Sequence, residues 1–380
     1  MKTTAPLISV CIPVYSTEMY LAQCLRSVIA QDFPDFEIVI VSDASRGKDT
    51  EGRSAKKIVK LMQKESDRMR KKKNLPRIPL RFFEHKENRG LLEVRRTLCY
   101  EARGIFLTQA DSDDEMESGA LTALYNAARF DLQAAAPADS GTDNLDADNS
   151  AERFFDIVHG TSTAGTFDSE GNFTPSKQNR YGRIFYGTIQ EHDVFRRWLL
   201  DGAFTANTWG KLIKRELWHK AYENIPYTEC NMADDVLLFF FLAQYARSYK
   251  GIEAKVYRYR VNTGMTSSRK IDTIQKWKMV CSAASVFSVI ITWIDESPSL
   301  LNSDETDKVR AMTRSYLSNN LKQMKEAVIP ELQEEAYRML CDYWGDHFVK
   351  TIEEAVQRKS GIVPRTENSP CSAPNSAAKE

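Results

Sequence analysis

The chain has 380 residues, 42% hydrophobic and 27% charged, with 52 basic residues against 52 acidic ones. Such a length holds two compact units or one large domain with an extension, and the composition is that of a folded globular protein. Zero net charge excludes an overall field favouring nucleic acid, and seven scattered cysteines, none in Cys-x-x-Cys spacing, point to a reducing compartment and not to zinc or a disulfide framework.

Met1-Lys-Thr-Thr-Ala-Pro6 leads straight into a strand, with no apolar signal segment. Residues 7–15 read as a buried strand, and Ser16 stands where it can cap a helix whose apolar residues Leu21, Cys24, Leu25, Val28 and Ile29 recur at helical spacing. Residues 36–41 form a second, near-continuously apolar strand closed by the turn Ser42-Asp43-Ala44-Ser45, the pattern of a parallel strand covered on both faces. A helix follows over 50–73. Between residues 53 and 81 twelve basic residues stand against two acidic ones. That run reads either as a solvated face or as a patch for an anionic lipid surface or acceptor. Residues 79–84 are a third strand, 85–90 a turn, and 91–103 a helix with Gly104 as its stop.

The short apolar run 105–107 then ends in Asp111-Ser112-Asp113-Asp114. Carboxylates this close repel, and each raises the cost of ionising the next. A divalent cation relieves that repulsion, and hard oxygen ligands suit Mg²⁺ or Mn²⁺. The C-terminal ends of strands are also where α/β sheets bind ligands. The competing reading is an acidic turn capping the helix expected over 117–129.

A short strand near 132–136 is expected next, and 138–151, rich in Asp, Asn, Ser and Gly, reads as a loop or seam. Strands are expected at 154–158 and 163–167, and a strand-to-helix unit over 207–218. Asp234-Asp235 opens a very apolar helix. The pair either complements the helix dipole or supplies a general base. Residues 252–259 read as a strand, 260–269 as a loop and 271–358 as helical throughout. The apolar stretch 279–294, interrupted by serines and a threonine, is expected to be too short and too polar to span a bilayer. Residues 359–380 read as a disordered tail.

Five of these segments, in order, resemble the inverting family 2 glycosyltransferases of the GT-A fold: Ser9-Val-Cys-Ile-Pro13-Val-Tyr15, the turn at Asp43, Asn88-Arg-Gly90 with Arg95, Asp111-Ser112-Asp113-Asp114, and Asp234-Asp235. The likeness covers residues 6–130 and, more loosely, 205–270. It departs from the family pattern at Ser42 and Ala44, where a second acid and a glycine are usual, and at Asp234, where the pair is usually Glu-Asp. It implies an α/β fold, a Rossmann-like mixed sheet between helices, with a nucleotide-sugar-binding half over 1–137, an acceptor-binding half over 138–270 and a helical extension over 271–358. It further implies a nucleotide-sugar donor, most often a UDP-sugar, with Mn²⁺ or Mg²⁺. Pro13, Tyr15, Asp43, Arg95, Asp111, Ser112 and Asp113 would hold the donor. Asp113 would bind the metal with Asp111 and Asp114, and Asp235, beside Asp234, would act as base. Arg258, Arg260 and the loop 262–269 would close over the diphosphate, and Trp209 is either a sugar platform or a core residue. The Gln-x-x-Arg-Trp signature of processive synthases is missing, since Val194-Phe-Arg-Arg197-Trp198 carries only its end, so a single addition is expected. The implied setting is bacterial surface polysaccharide or lipooligosaccharide synthesis, cytoplasmic or at the inner membrane face, with a saccharide or glycolipid acceptor, peripheral membrane contact and no nucleic acid. A catalytically degenerate sugar-binding module and a metal-dependent phosphoryl-transfer enzyme are the alternatives.

Overall fold

The computed structural model describes residues 5–130, 153–168, 170–177, 182–261, 263 and 270–359. The expectations at 132–136, 138–151, 360–380 and most of 262–269 lie outside the described residues. The first half alternates strand and helix: β1 (Ile8–Val14), α1 (Glu18–Ile29), β2 (Phe36–Ser42), α2 (Ala55–Lys72), β3 (Leu80–Glu84), α3 (Leu91–Glu101), β4 (Phe106–Gln109), β5 (Glu115–Met116) and α4 (Ala120–Ala128). The second continues with β6 (Ile157–Phe167), β7 (Phe173–Pro175), β8 (Gly187–Gln190), α5 (Asp193–Leu199), β9 (Lys211–Lys214), α6 (Arg215–Asn224), α7 (Asp234–Tyr245) and β10 (Ser248–Arg260). Five helices close the chain: α8 (Ile274–Cys281), α9 (Ala283–Glu296), α10 (Ser303–Ala327), α11 (Gln333–Trp344) and α12 (Asp346–Lys359).

The strands form one mixed sheet in the order β3-β2-β1-β4-β9-β6-β10-β5, with β7 beside β6 and β8 beside β10. β1 pairs in parallel with both β2 and β4, and β2 with β3. β9 then runs antiparallel to both β4 and β6. Every residue of β1 and β2 is buried, which is why both read as unbroken apolar runs. The chain leaves β1 towards β2 and β3 on one side and returns to place β4 on the other. Such a reversal opens a crevice beyond the carboxyl ends of the central strands.

Apolar clusters fill both faces. Leu21, Leu25, Val28 and Ile58 of α1 and α2 cover one side with Leu121 and Leu124 of α4. Leu98, Leu217, Trp218, Phe239 and Phe287, from α3, α6, α7 and α9, cover the other. A third cluster, with Trp277, Leu317, Leu321 and Leu340, holds the C-terminal helices together. The expected mixed sheet between helices, with its helical extension, is therefore present.

Several local expectations change. The two strands expected at 154–158 and 163–167 are one, β6. Ser16 is not a cap: it lies at φ 56°, and Thr17 precedes α1. Gly104 is not a left-handed helix stop. It is needed because a Cβ there would lie 2.5 Å from the backbone nitrogen of Ser9 in β1. Residues 274–296 prove long and apolar enough to cross a membrane by length and composition alone, contrary to the reading of 279–294, but most of their apolar stretch is buried inside the protein. Trp277, Val286, Phe287 and Ile290 serve the interior. The six described cysteines are buried and unpaired.

Candidate active site

The carboxyl ends of β1, β2 and β4 meet the start of α7 and the segment entering β9 around a cavity of about 530 Å³. Pro13, Tyr15, Asp43, Arg95, Asp111, Ser112, Asp113, Asp234 and Asp235 all line it. Segments more than 200 positions apart in sequence thus share one wall. Three non-glycine residues at positive φ adjoin these positions: Ser16 (56°) after Tyr15, Ala44 (52°) after Asp43, and Ala233 (62°) before Asp234. Backbone strain of this kind clusters where side chains must be aimed. It also explains why glycine suits the place of Ala44.

Asp43 is buried, and its carboxylate accepts from the backbone N–H groups of Arg89 (2.9 Å) and Gly90 (2.9 Å). Its Oδ1 also lies 2.7 Å from His85 Nδ1, while His85 Nε2 lies 2.9 Å from Thr97 Oγ1. Asp43 therefore fastens the 85–90 turn to the end of β2 as well as facing the cavity. His85, which by sequence is only part of a turn, is a structural partner of Asp43.

Asp111 and Asp113 line the cavity, but Asp114 does not. The Asp114 carboxylate accepts from Tyr257 Oη (2.9 Å) and from the Arg260 N–H (2.6 Å). Tyr257 Oη in turn accepts the N–H of Asp111 at 2.9 Å. The expected third metal ligand is thus an anchor that ties the acidic turn to β10. Among the described residues no group of three His, Cys, Asp or Glu side chains is assembled for a metal. Two carboxylates still fit a hard cation, because Mg²⁺-type ions commonly take one or two from protein and the rest from phosphate and water. Asp111 Oδ1 is buried with no hydrogen-bond partner. Burial pushes the Asp111 carboxyl up to about 6 despite the Arg95 guanidinium beside it, so its ionised form is costly here and a bound divalent cation would favour it. Thr263 donates to Asp113 Oδ2 at 2.9 Å, and the hydroxyls of Ser112 and Thr17 lie 2.6 Å apart.

Arg95 is buried between the two acidic stations. It pairs with Asp234 through Nη1 and approaches Asp111 Oδ1 at 3.6 Å. Burial alone would weaken its hold on the proton, but Asp234 and Asp111 outweigh that and raise it. With Asp234 engaged, Asp235 is the freer acid. Its Oδ1 accepts the Val236 N–H at 2.9 Å, and burial followed by the Asp234 charge raises its pKa.

The opposite wall is segment 205–209. Lys211, wholly buried, donates to the carbonyls of Thr205 (3.0 Å) and Asn207 and so pins this segment. A lysine inside the apolar run Trp209-Gly-Lys-Leu-Ile213 was the available sequence signal. Trp209 stacks on Tyr257 (4.9 Å between centroids) and Tyr259 (5.4 Å) and also lines the cavity, so it is both core and wall. The arginines expected over the diphosphate are committed elsewhere. Arg258 pairs with Glu117 (2.7 Å) and Glu115 (3.4 Å). Arg260 donates to the Asp113 carbonyl (2.7 Å) and to Gln23 (2.8 Å).

Residues 9–197 match the family model for glycosyl transferase family 2. The chain is 26% identical over 258 residues to EpsH of Bacillus subtilis, a match covering 68% of this chain and 61% of that protein. It is 34% identical over 123 residues, 32% of this chain and 35% of the relative, to the GalNAc(5)-diNAcBac-PP-undecaprenol beta-1,3-glucosyltransferase of Campylobacter jejuni. The chain therefore spans less than two thirds of the length of these relatives. Among solved structures, Staphylococcus aureus TarS 1-349 in complex with UDP aligns over 93% of this chain and 92% of its own, with 16% identity and a TM-score of 0.46. With its five motif segments in order around one cavity and the family model over residues 9–197, the chain belongs to glycosyl transferase family 2.

Proposed function

We propose that this protein moves a single sugar from a nucleotide-sugar donor, a UDP-sugar, to a hydroxyl of a saccharide or glycolipid acceptor with inversion. The observation that carries this reading is the convergence of Asp111 and Asp113, Arg95 and Asp235 on one cavity at the switch in strand order. Pro13, Tyr15 and Asp43 line the side of the cavity formed by β1 and β2, where a nucleobase would rest. Asp111 and Asp113 would hold Mn²⁺ or Mg²⁺, which when bound offsets the charge of the departing diphosphate. Arg95 adds a fixed positive charge that cannot be lost by deprotonation.

Across the cavity, Asp235 would take the acceptor hydroxyl's proton as that oxygen attacks the sugar. Its raised pKa makes it a stronger base than an ordinary aspartate. Asp234, tied to Arg95, would hold the site together without exchanging protons with the acceptor. Attack from the Asp235 side, opposite the diphosphate, inverts the anomeric centre. A glycolipid acceptor is supported by the Campylobacter relative, named for a PP-undecaprenol-linked acceptor. Work in the cytoplasm or at the inner membrane face belongs to the same reading, as does the division into donor half, acceptor half and helical extension.

The test is a donor screen with Mn²⁺, read by mass spectrometry for released nucleotide and transferred sugar. At least one nucleotide sugar turns over, and Asp113→Asn abolishes turnover. No turnover and no thermal shift with any donor would sink the enzyme reading.

A further inference from the structure

We propose that the outward face of α2 is a docking surface for an anionic lipid bilayer. α2 buries Ala55, Ile58, Val59, Met62, Ser66 and Arg70 against the domain. Its exposed positions include Lys57, Lys60, Lys64, Arg68, Lys71 and Lys72. At about 100° per residue these six fall within an arc of roughly 120°, along about 22 Å of helix. Leu61, 37% exposed, stands within the same arc.

The two acids of the helix flank this stripe and are committed away from it. Glu65 pairs with Arg26 of α1 at 2.9 Å, and Asp67 with Arg77 at 3.1 Å. Among the described residues, none of the six stripe cations has a carboxylate within ion-pair distance. Residues 53–81 carry twelve basic and two acidic residues, so the rest of the chain carries 40 basic against 50 acidic ones. The protein is neutral as a whole but strongly lopsided. An anionic surface therefore attracts this face and repels the remainder, which fixes an orientation as well as an affinity.

Chemistry separates a bilayer from a nucleic acid as the occupant. The stripe is lysine-rich, a set of flexible point charges suited to diffuse headgroups more than to planar bidentate recognition. Residues 53–81 contain no aromatic side chain on which a base could stack. Leu61 and the lysine stems supply apolar contact at the interface. β2 and β3 are parallel, so α2 runs back between them, with its Lys57 end on the Asp43 side of the sheet. A bilayer along the stripe would cover the α2 layer, whose first turns lie toward the carboxyl ends of β2 and β3. This contact stands independently of the donor and base assignments.

The experiment is co-sedimentation of the full chain with vesicles of phosphatidylcholine alone and with phosphatidylglycerol added. The protein partitions to the anionic vesicles at low ionic strength and is released when salt shortens the screening length to about 3 Å. Reversing Lys57→Glu, Lys60→Glu, Lys64→Glu and Arg68→Glu together lowers the partition constant by at least about 100-fold. Reversing Arg314→Glu, Lys322→Glu, Arg338→Glu and Lys350→Glu, exposed residues of the C-terminal helices with the same total charge change, leaves it within a few-fold. Urea unfolding, followed in parallel by circular dichroism, stays cooperative with a similar midpoint in both variants and shows that they fold. Equal binding to both vesicle types, or equal loss in the two variants, overturns the proposal. Duplex DNA or RNA that binds the stripe more tightly than anionic vesicles do also overturns it, in favour of a nucleic-acid surface.

Discussion

Replacing Tyr257 by Phe removes one oxygen atom and tests how the acidic turn is aimed. The ring stays stacked on Trp209, so only the hydroxyl's two bonds are lost. One leaves the Asp111 N–H without an acceptor, and the other takes a donor from Asp114. An unsatisfied buried N–H costs about 1–3 kcal/mol, and a hydrogen bond to a charged group contributes about 1.5–3 kcal/mol. Asp114 keeps the Arg260 N–H at 2.6 Å, so the two losses combine to about 3 kcal/mol and not the full sum. Urea denaturation of Tyr257→Phe should therefore show an unfolding free energy lowered by that amount, seen as a lower midpoint at unchanged slope. Calorimetric titration with UDP and Mn²⁺ should show weakened binding, because Asp111 and Asp113 lie on the released turn. A stability loss below about 0.5 kcal/mol, with donor affinity intact, would refute the view that Tyr257 clamps the turn to β10.

Asp235→Asn should leave UDP affinity within a few-fold and lower kcat by about 10²–10⁴, the usual contribution of a general base. Asp234→Asn should instead cost about 3 kcal/mol of stability by stranding Arg95, and the reverse pattern in steady-state kinetics would reassign the base. Because burial raises the Asp235 pKa, wild-type kcat/KM should fall as pH drops through that raised value, measured as an acid limb absent from Asp235→Asn. Asp111→Asn should abolish Mn²⁺ binding yet stabilise the metal-free protein. The carboxyl sits at about 6 when folded, above its unfolded value, so its ionisation costs stability as pH rises from about 4 to 6. Its side chain is 24% exposed, so the gain at pH 8 should be only about 1–2 kcal/mol and should vanish near pH 4. Ala44→Gly should raise the melting temperature through about 0.5–1 kcal/mol, by relieving a left-handed φ of 52°. An unchanged or lower melting temperature would show that the turn is not strained.

The elements that read most clearly were those whose signal is local. β1 and β2 are buried on both faces, so an unbroken apolar run identifies them, and the ordered acids at 43, 111, 113 and 235 do reach one cavity. What sequence spacing could not convey is which way a side chain turns. Asp113 and Asp114 are neighbours, yet one faces the cavity and the other is captured by Tyr257, 143 positions away. Arg258 and Arg260 looked free for a diphosphate because Glu115, Glu117 and Gln23 are distant in the chain. The roles of Lys211 and His85 are invisible in the sequence for the same reason. Each acts on backbone or side chains that only the folded sheet brings near.

The span of the contacts around the cavity bears on how the protein comes into being. β1, β2, β3 and β4 draw on residues 8–109 and can pair as soon as that length has been synthesised. The bonds that finish the site wait much longer: Arg95 to Asp234 bridges 139 positions, and Arg260 to Gln23 bridges 237. Until β9 arrives, β4 has an open hydrogen-bonding edge, and the acidic turn has no Tyr257 to hold it. Long loops close slowly, and unpaired edges invite association with other chains. A nascent chain stalled before residue 211 would accordingly be an aggregation hazard, and the cavity would be among the last parts of the molecule to become ordered.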